Sequence, residues 1–372
     1  MLLYRIRLFS LFGFAVSIDA SWLVLATLVV WSLAASVFPA LYPGFAPGIY
    51  WIMGLATALG LLGSIVFHET AHALVARRFG IPISGITLFI FGGVAEMQAE
   101  PESARAELLM ALAGPLASLL LVVALWLAAA TAGAGPVGAA LDYLGLINLV
   151  LALFNLVPAF PLDGGRVLRA GLWLWRGDLL QATRIAAAIG RGFGLLLVVF
   201  GIFRVLGGDV VGGVWSFLIG LFLRSAAIES YRHTLAGHLL ASVTVGQIMR
   251  AAPVVAPAEI SVASFVADYV YPHHDAWFPV VEGTALIGTV GTREVAAVDR
   301  ARWSSTPLAS ILKPLTPETT VAPETDALTA LRRMRGAGGE RLLVLHDNRL
   351  VGVLGLRDVL GALAVREQLG VP

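Results

Sequence analysis

Long apolar runs alternate with short arginine-bearing segments over the first 230 or so residues of the chain. A membrane-spanning helix needs about 20 mainly apolar residues. Six runs qualify, at roughly 20–40, 50–76, 106–131, 137–160, 185–206 and 210–230. The run 1–17 is too short and interrupted for a seventh, and is expected to lie along the membrane surface or to form strands. Between the second and third spans, residues 83–97 read ISGITLFIFGGVAEM. The β-branched and aromatic run 86–91, followed by Gly92-Gly93, predicts a short strand or hairpin dipping into the inside face of the bundle. Its edge, residues 86–91, can pair with an extended peptide; a plain surface hairpin is the alternative.

After residue 240 the pattern changes. Residues 286–295 read LIGTVGTREV and residues 350–359 read LVGVLGLRDV. Val255-Ala256-Pro257 answers Val321-Ala322-Pro323 upstream. The repeat predicts one α/β module built from two copies. The expected organisation is a membrane domain over 1–232, a linker over 233–242 and a soluble tail over 243–372, with copies at 243–302 and 306–367.

Composition supports the division. The chain is 58% hydrophobic and 13% charged, where soluble globular chains run about 45–50% and about 25%. Residues 1–240 carry 11 acidic and 13 basic side chains; residues 241–372 carry 13 and 12 in about half the length. A formal net charge of +1 gives no reason to expect a nucleic-acid partner. The chain has no cysteine, so any metal must be held by His, Asp or Glu. Arginines fall in alternate connecting segments, with Arg204 on the other side and Arg191 inside the fifth run. Because basic residues mark cytoplasmic loops, both termini and the tail are expected in the cytoplasm, in a multi-pass protein of the cell membrane.

The candidate chemistry begins at Phe67-His68-Glu69-Thr70-Ala71-His72, near the end of the second run. Positions i and i+4 share a helix face, so His68 and His72 can reach one metal. Glu69 beside them can take a proton from water activated by that metal. Three ionisable residues within five positions of an apolar span are costly there and mark function. A catalytic zinc takes three protein ligands. The fourth run ends in Asn155…Pro158…Pro161-Leu162-Asp163-Gly164-Gly165-Arg166. The second and fourth runs cross in the same direction, which places Asp163 at the depth of the two histidines. The alternative for Asp163 is a helix-end acid paired with Arg166 or Arg169. Asn155, an amide at depth, can donate to a carbonyl oxygen gaining charge in the transition state, or can fix the helix break.

These motifs, with Ala113-Gly114-Pro115-Leu116 between them, resemble the site-2 protease family of intramembrane metalloproteases over roughly residues 1–230. The resemblance implies one zinc ion held by His68, His72 and Asp163, with Glu69 as the catalytic glutamate. It implies that Gly92-Gly93 belongs to a strand element that holds substrate. Ser118 stands where family members often carry Asn. The tail resembles a pair of cystathionine-β-synthase (CBS) domains, which often bind adenine nucleotides and often associate into homodimers. That family's nucleotide contact reads Gly, two residues, Thr or Ser, two residues, Asp. Here Gly288…Gly291…Glu294 and Gly352…Gly355…Asp358 lack the hydroxyl, which leaves Asp358 as a candidate ribose contact and sets a structural or dimerising role beside it.

The expected fold is thus a multi-pass α-helical membrane protein of about six spans with a short membrane-associated β element, plus a C-terminal α/β CBS pair. The expected activity is that of a zinc metalloendopeptidase cutting membrane-protein substrates within the lipid bilayer, under the influence of its tail. The alternative is a transporter or channel gated by the CBS domains; no internal repeat of the kind common in transporters is found in residues 1–240.

Overall fold

A computed structural model describes residues 5–90, 92–97, 100–283, 285–336, 341–347 and 349–369. The chain divides into two compact units, Met1–Arg232 and His233–Pro372.

The first unit opens with a hairpin, β1 (Arg5–Leu11) and β2 (Phe14–Asp19), turned at Phe12-Gly13 with φ of 50° and 91°. Among the described residues, six helices are long and apolar enough to cross a membrane: α1 (Ala20–Leu41), α2 (Pro47–Arg78), α3 (Ala104–Ala132), α4 (Pro136–Asn155), α6 (Leu179–Leu206) and α7 (Val210–Ala241). A shorter helix, α5 (Asp163–Arg176), lies between the fourth and fifth of these. Strands β3 (Ile83–Phe89) and β4 (Gly92–Met97) join α2 to α3. Helix starts follow their side chains: Asp19 accepts from the Ser21 amide at 2.9 Å, Ser103 from Ala106 at 3.3 Å and Asp178 from Gln181 at 2.9 Å, each satisfying an orphan amide. On α6, Gly194 and Gly201 lie against the backbone of Gly220 and Gly213 on α7, the close approach that small residues permit in lipid.

The hairpin at the N-terminus corrects one expectation. The sheet runs β1-β2-β3-β4, with β2 parallel to β3 and β3 antiparallel to β4. Residues 86–88 therefore pair on both sides and are no edge; Phe91 lies outside the described residues. The free edge on this side belongs to β4. The cause is the period-two pattern of β2: Val16 and Ile18 turn inward with Ile86 and Leu88 onto Trp22, Ile65 and Val66. Burying that face requires β2 beside β3. The last helix also runs well beyond residue 230, to Ala241.

The second unit holds two four-stranded sheets, β6-β7-β8-β9 and β10-β11-β12-β5. The first comprises β6 (Ala256–Pro257), β7 (Trp277–Glu282), β8 (Ala285–Gly291) and β9 (Lys313–Pro314). The second comprises β10 (Thr320–Val321), β11 (Arg341–His346), β12 (Arg349–Gly355) and β5 (Arg250–Ala251). Each sheet takes its last strand from the lead segment of the other copy: β5 pairs with β12 and β9 with β8. The copies are therefore interlocked, and a linear boundary between them cuts both sheets. Helices α8 (Ala327–Gly336) and α9 (Leu356–Leu369) belong to the second copy, whose core also takes in Leu240, Val243 and Val245.

Candidate metal centre

Helix α2 carries His68 and His72 one turn apart, both buried. Helix α4 ends at Asn155, and the chain then turns through Pro158 and Pro161 into α5, whose first residue is Asp163. Gly164 and Gly165 follow it in helical conformation. A Cβ on either would strike the backbone of residues 156–160. These glycines serve close approach of the turn to α5.

Three ligand atoms converge. His68 Nε2 and His72 Nε2 each lie 3.2 Å from Asp163 Oδ2, and 3.1 Å from one another. A tetrahedral zinc with bonds of about 2.0–2.1 Å needs its ligand atoms about 3.3 Å apart. The triangle has that size, and two imidazoles with one carboxylate suit zinc. Among the described residues this is the cluster of His, Asp and Glu placed to hold a metal.

Both rings are fixed from behind. His72 Nδ1 donates to the Met110 carbonyl at 2.7 Å, and His68 Nδ1 lies 2.9 Å from Ser118 Oγ. With the proton on Nδ1, each ring turns its Nε2 lone pair toward Asp163. Both partners come from α3. That helix approaches closely because Gly114 has no side chain: a Cβ there would sit 2.6 Å from His68 Nε2 and closer still to His72 Nε2. Sequence reasoning noted Gly114 and Ser118 only as parts of a pattern, and missed the Met110 carbonyl, which no side-chain signal reveals. Ser118→Ala is expected to weaken zinc about 10- to 100-fold, as loss of such a partner typically does; zinc titration against a competing chelator measures it, and unchanged affinity would remove Ser118 from the site.

The triangle opens on a cavity of about 590 Å³ that Glu69, Asn155, Gly92, Gly93 and Arg166 also line. Its wall is otherwise largely apolar, with Phe89 and Phe222 at 6.1 Å between ring centroids. Gly93 on β4 lies against Glu69, where a Cβ would come 2.6 Å from Glu69 Cγ. The strand with the free edge therefore runs directly past the carboxylate. The alternative pairing of Asp163 with a neighbouring arginine is not what forms. Arg169 binds Glu107 through Nε at 2.6 Å, both buried, and Arg166 reaches the Met97 sulfur at 3.8 Å.

Asp358 and Glu294 occupy equivalent places in the second unit. Glu294 accepts from the Gly291 amide at 2.9 Å and pairs with Lys313 of β9 at 2.8 Å. Asp358 accepts from the Gly355 amide at 2.8 Å and from Arg250 of β5 at 2.9 Å. Each acid thus caps its own turn and latches the exchanged strand. Burial opposes ionisation of Glu294, but Lys313 and the backbone amides outweigh it and hold the carboxyl below its ordinary range. A cavity of about 770 Å³ lies beside Asp358, with Arg250, Trp277 and Arg341 in its wall.

Comparison with known proteins agrees with this architecture. Residues 56–134 and 128–199 match peptidase family M50, and residues 309–365 match the CBS domain. Rip3 of Mycobacterium tuberculosis, named as a zinc metalloprotease, is 37% identical over 354 residues, covering 93% of this chain and 90% of the relative. Zinc metalloprotease MJ0392 of Methanocaldococcus jannaschii is 29% identical over 365 residues, covering 98% and 97%. The solved site-2 protease from Methanocaldococcus jannaschii aligns with 61% of this chain and 94% of its own, at 30% identity and a TM-score of 0.43.

Proposed function

The chain belongs to peptidase family M50, the zinc metalloproteases of the site-2 type, and from that membership we propose how its own residues cut a peptide bond within the membrane. His68, His72 and Asp163 hold the zinc. When bound there, zinc supplies Lewis acidity, which polarises a carbonyl and makes water acidic enough to react near neutral pH. Glu69 takes a proton from the attacking water and delivers it to the leaving nitrogen. Asn155 points no hydrogen bond at any described residue, and its amide is available to the carbonyl oxygen as that atom gains charge.

A substrate in a membrane arrives as a helix, whose amides are hydrogen-bonded to one another and shielded. It must be extended before attack. The free edge of β4 offers backbone partners to replace the bonds lost. Gly92 and Gly93 keep that edge slim where it passes Glu69. The substrate is accordingly a membrane protein that can unwind locally, and no described feature favours the transporter alternative. The asymmetry of the arginines supports a cytoplasmic side for the site and the tail.

For the tail, the exchange of β5 and β9 supports a structural role, since it ties the two copies of one chain into a single module. An adenine nucleotide at Asp358 would have to share the carboxylate with Arg250 and the Gly355 amide, which already donate to it.

The observation that carries this reading is the triangle of ligand atoms 3.1–3.2 Å apart. Zinc content of the purified chain tests it without any substrate. The expected result is about one zinc per chain, lost in both His68→Ala and Asp163→Ala. Zinc retained after loss of Asp163 would break the assignment that joins α2 to α5.

A further inference from the structure

Arg166 lies one turn after Asp163 in the first turn of α5, and so shares its face. It lines the catalytic cavity. Its five N–H donors have one hydrogen-bond partner among the described residues, the thioether of Met97 at 3.8 Å, a weak acceptor. A cation at a helix N-terminus also opposes the helix dipole. Local stability therefore gives no reason for arginine here. Of the acids around it, Glu107 is already taken by Arg169, and its Oε2 stays without a partner while Arg166 lines the cavity.

Charge accounting leads the same way. The two carboxylates of Glu69 and Asp163 offset a doubly charged zinc, and Glu107 offsets Arg169. Among the described side chains that line this largely apolar cavity, Arg166 is the cation left over. Hydrolysis creates an anion there. The C–N bond breaks, a C–O bond forms to the oxygen of water, and one proton of water passes through Glu69 to the leaving nitrogen. The acid product then ionises.

We propose that Arg166 is a substrate-binding residue: its guanidinium holds the carbonyl side of the scissile bond, and holds it most tightly once that group has become a carboxylate. The proposal rests on the protease reading. It assigns the cavity a preference for a C-terminal carboxylate over the matching amide, set by Arg166 and separable from the metal.

The test uses the full chain in detergent, zinc-loaded and chelator-treated, titrated calorimetrically with N-acetyl-leucyl-leucine and with its C-terminal amide. Wild type should favour the carboxylate by about tenfold or more, the usual scale of a charge-assisted pair. Arg166→Gln should reduce that preference in the zinc form, with zinc content unchanged. Arg166→Lys should keep only part of it, because an ammonium lacks the planar fork. If Arg166→Gln keeps the wild-type preference, the residue serves only as a spare partner for Glu107 and the proposal falls. Should Arg166→Gln not fold, Arg166→Lys decides: a preference equal to wild type overturns the proposal, and a reduced one upholds it. Zinc lost in Asp163→Ala beside a preference indifferent to Arg166 overturns this proposal alone. Zinc retained in Asp163→Ala overturns the protease reading and this proposal with it.

Discussion

Glu69→Gln is expected to leave zinc bound and to lower the rate of peptide cleavage by at least 10²- to 10⁴-fold, the range usual for general acid–base catalysis. The change keeps the size of the side chain and touches none of the three ligand atoms. Glu69 is half-buried on α2, between His68 and the strand edge at Gly93. An amide there can neither accept a proton from water nor hand one to the leaving nitrogen. Both halves of the reaction therefore suffer from one substitution. The measurement is cleavage of a membrane-embedded substrate in detergent or vesicles, with zinc per chain determined on the same preparation. Cleavage at the wild-type rate would remove Glu69 from the chemistry. Loss of zinc together with activity would show that Glu69 acts on the metal site instead.

The second large effect concerns a residue with no polar atom in its side chain. Gly114→Ala adds one methyl group to α3, and is expected to expel zinc and destabilise the bundle by about 1–3 kcal/mol, as overpacking does. The methyl would press on His68 Nε2 and His72 Nε2, the two atoms that face the metal. Neither ring can retreat, because Ser118 and Met110 of the same helix hold their far nitrogens. Gly63→Ala on α2 is the control: its added methyl meets nothing within 4 Å, and alanine improves the helix. Zinc content and thermal unfolding in the two variants distinguish the cases. If Gly114→Ala holds zinc as wild type does, the approach of α3 does not set the geometry of the site.

Much of this architecture was legible in the chain. Apolar runs reveal spanning helices because lipid leaves backbone groups no other partner, and six appear at the expected places. The spacing of His68 and His72 reveals a shared face by helix geometry alone. What stayed hidden depends on distant neighbours. Nothing near residues 85–88 says that β2 will cover them, since the partner lies on the far side of two spans. Helix α5 was not foreseen, because Gly164 and Gly165 in its first turn are poor helix formers. They are glycine for the sake of the 156–160 backbone against them. The exchange of β5 and β9 was likewise invisible, because a repeat in sequence suggests copies that each close their own sheet.

The parallel pairing of β2 with β3 also fixes an order of events during synthesis. Ala15–Ile18 leave the ribosome before α1 and α2 exist, and their partners Gly85–Leu88 appear only after both have been made. Parallel strands cannot be joined by a tight turn and must wait for the connection between them. Here that connection is a pair of helices crossing the membrane twice. The N-terminal hairpin is born without a neighbour, and the sheet closes on it late. β4 comes last of the four, and among the described residues of this unit no later strand arrives to cover it. The edge that passes Glu69 is open because, among the described residues, this unit makes no further strand to pair with it.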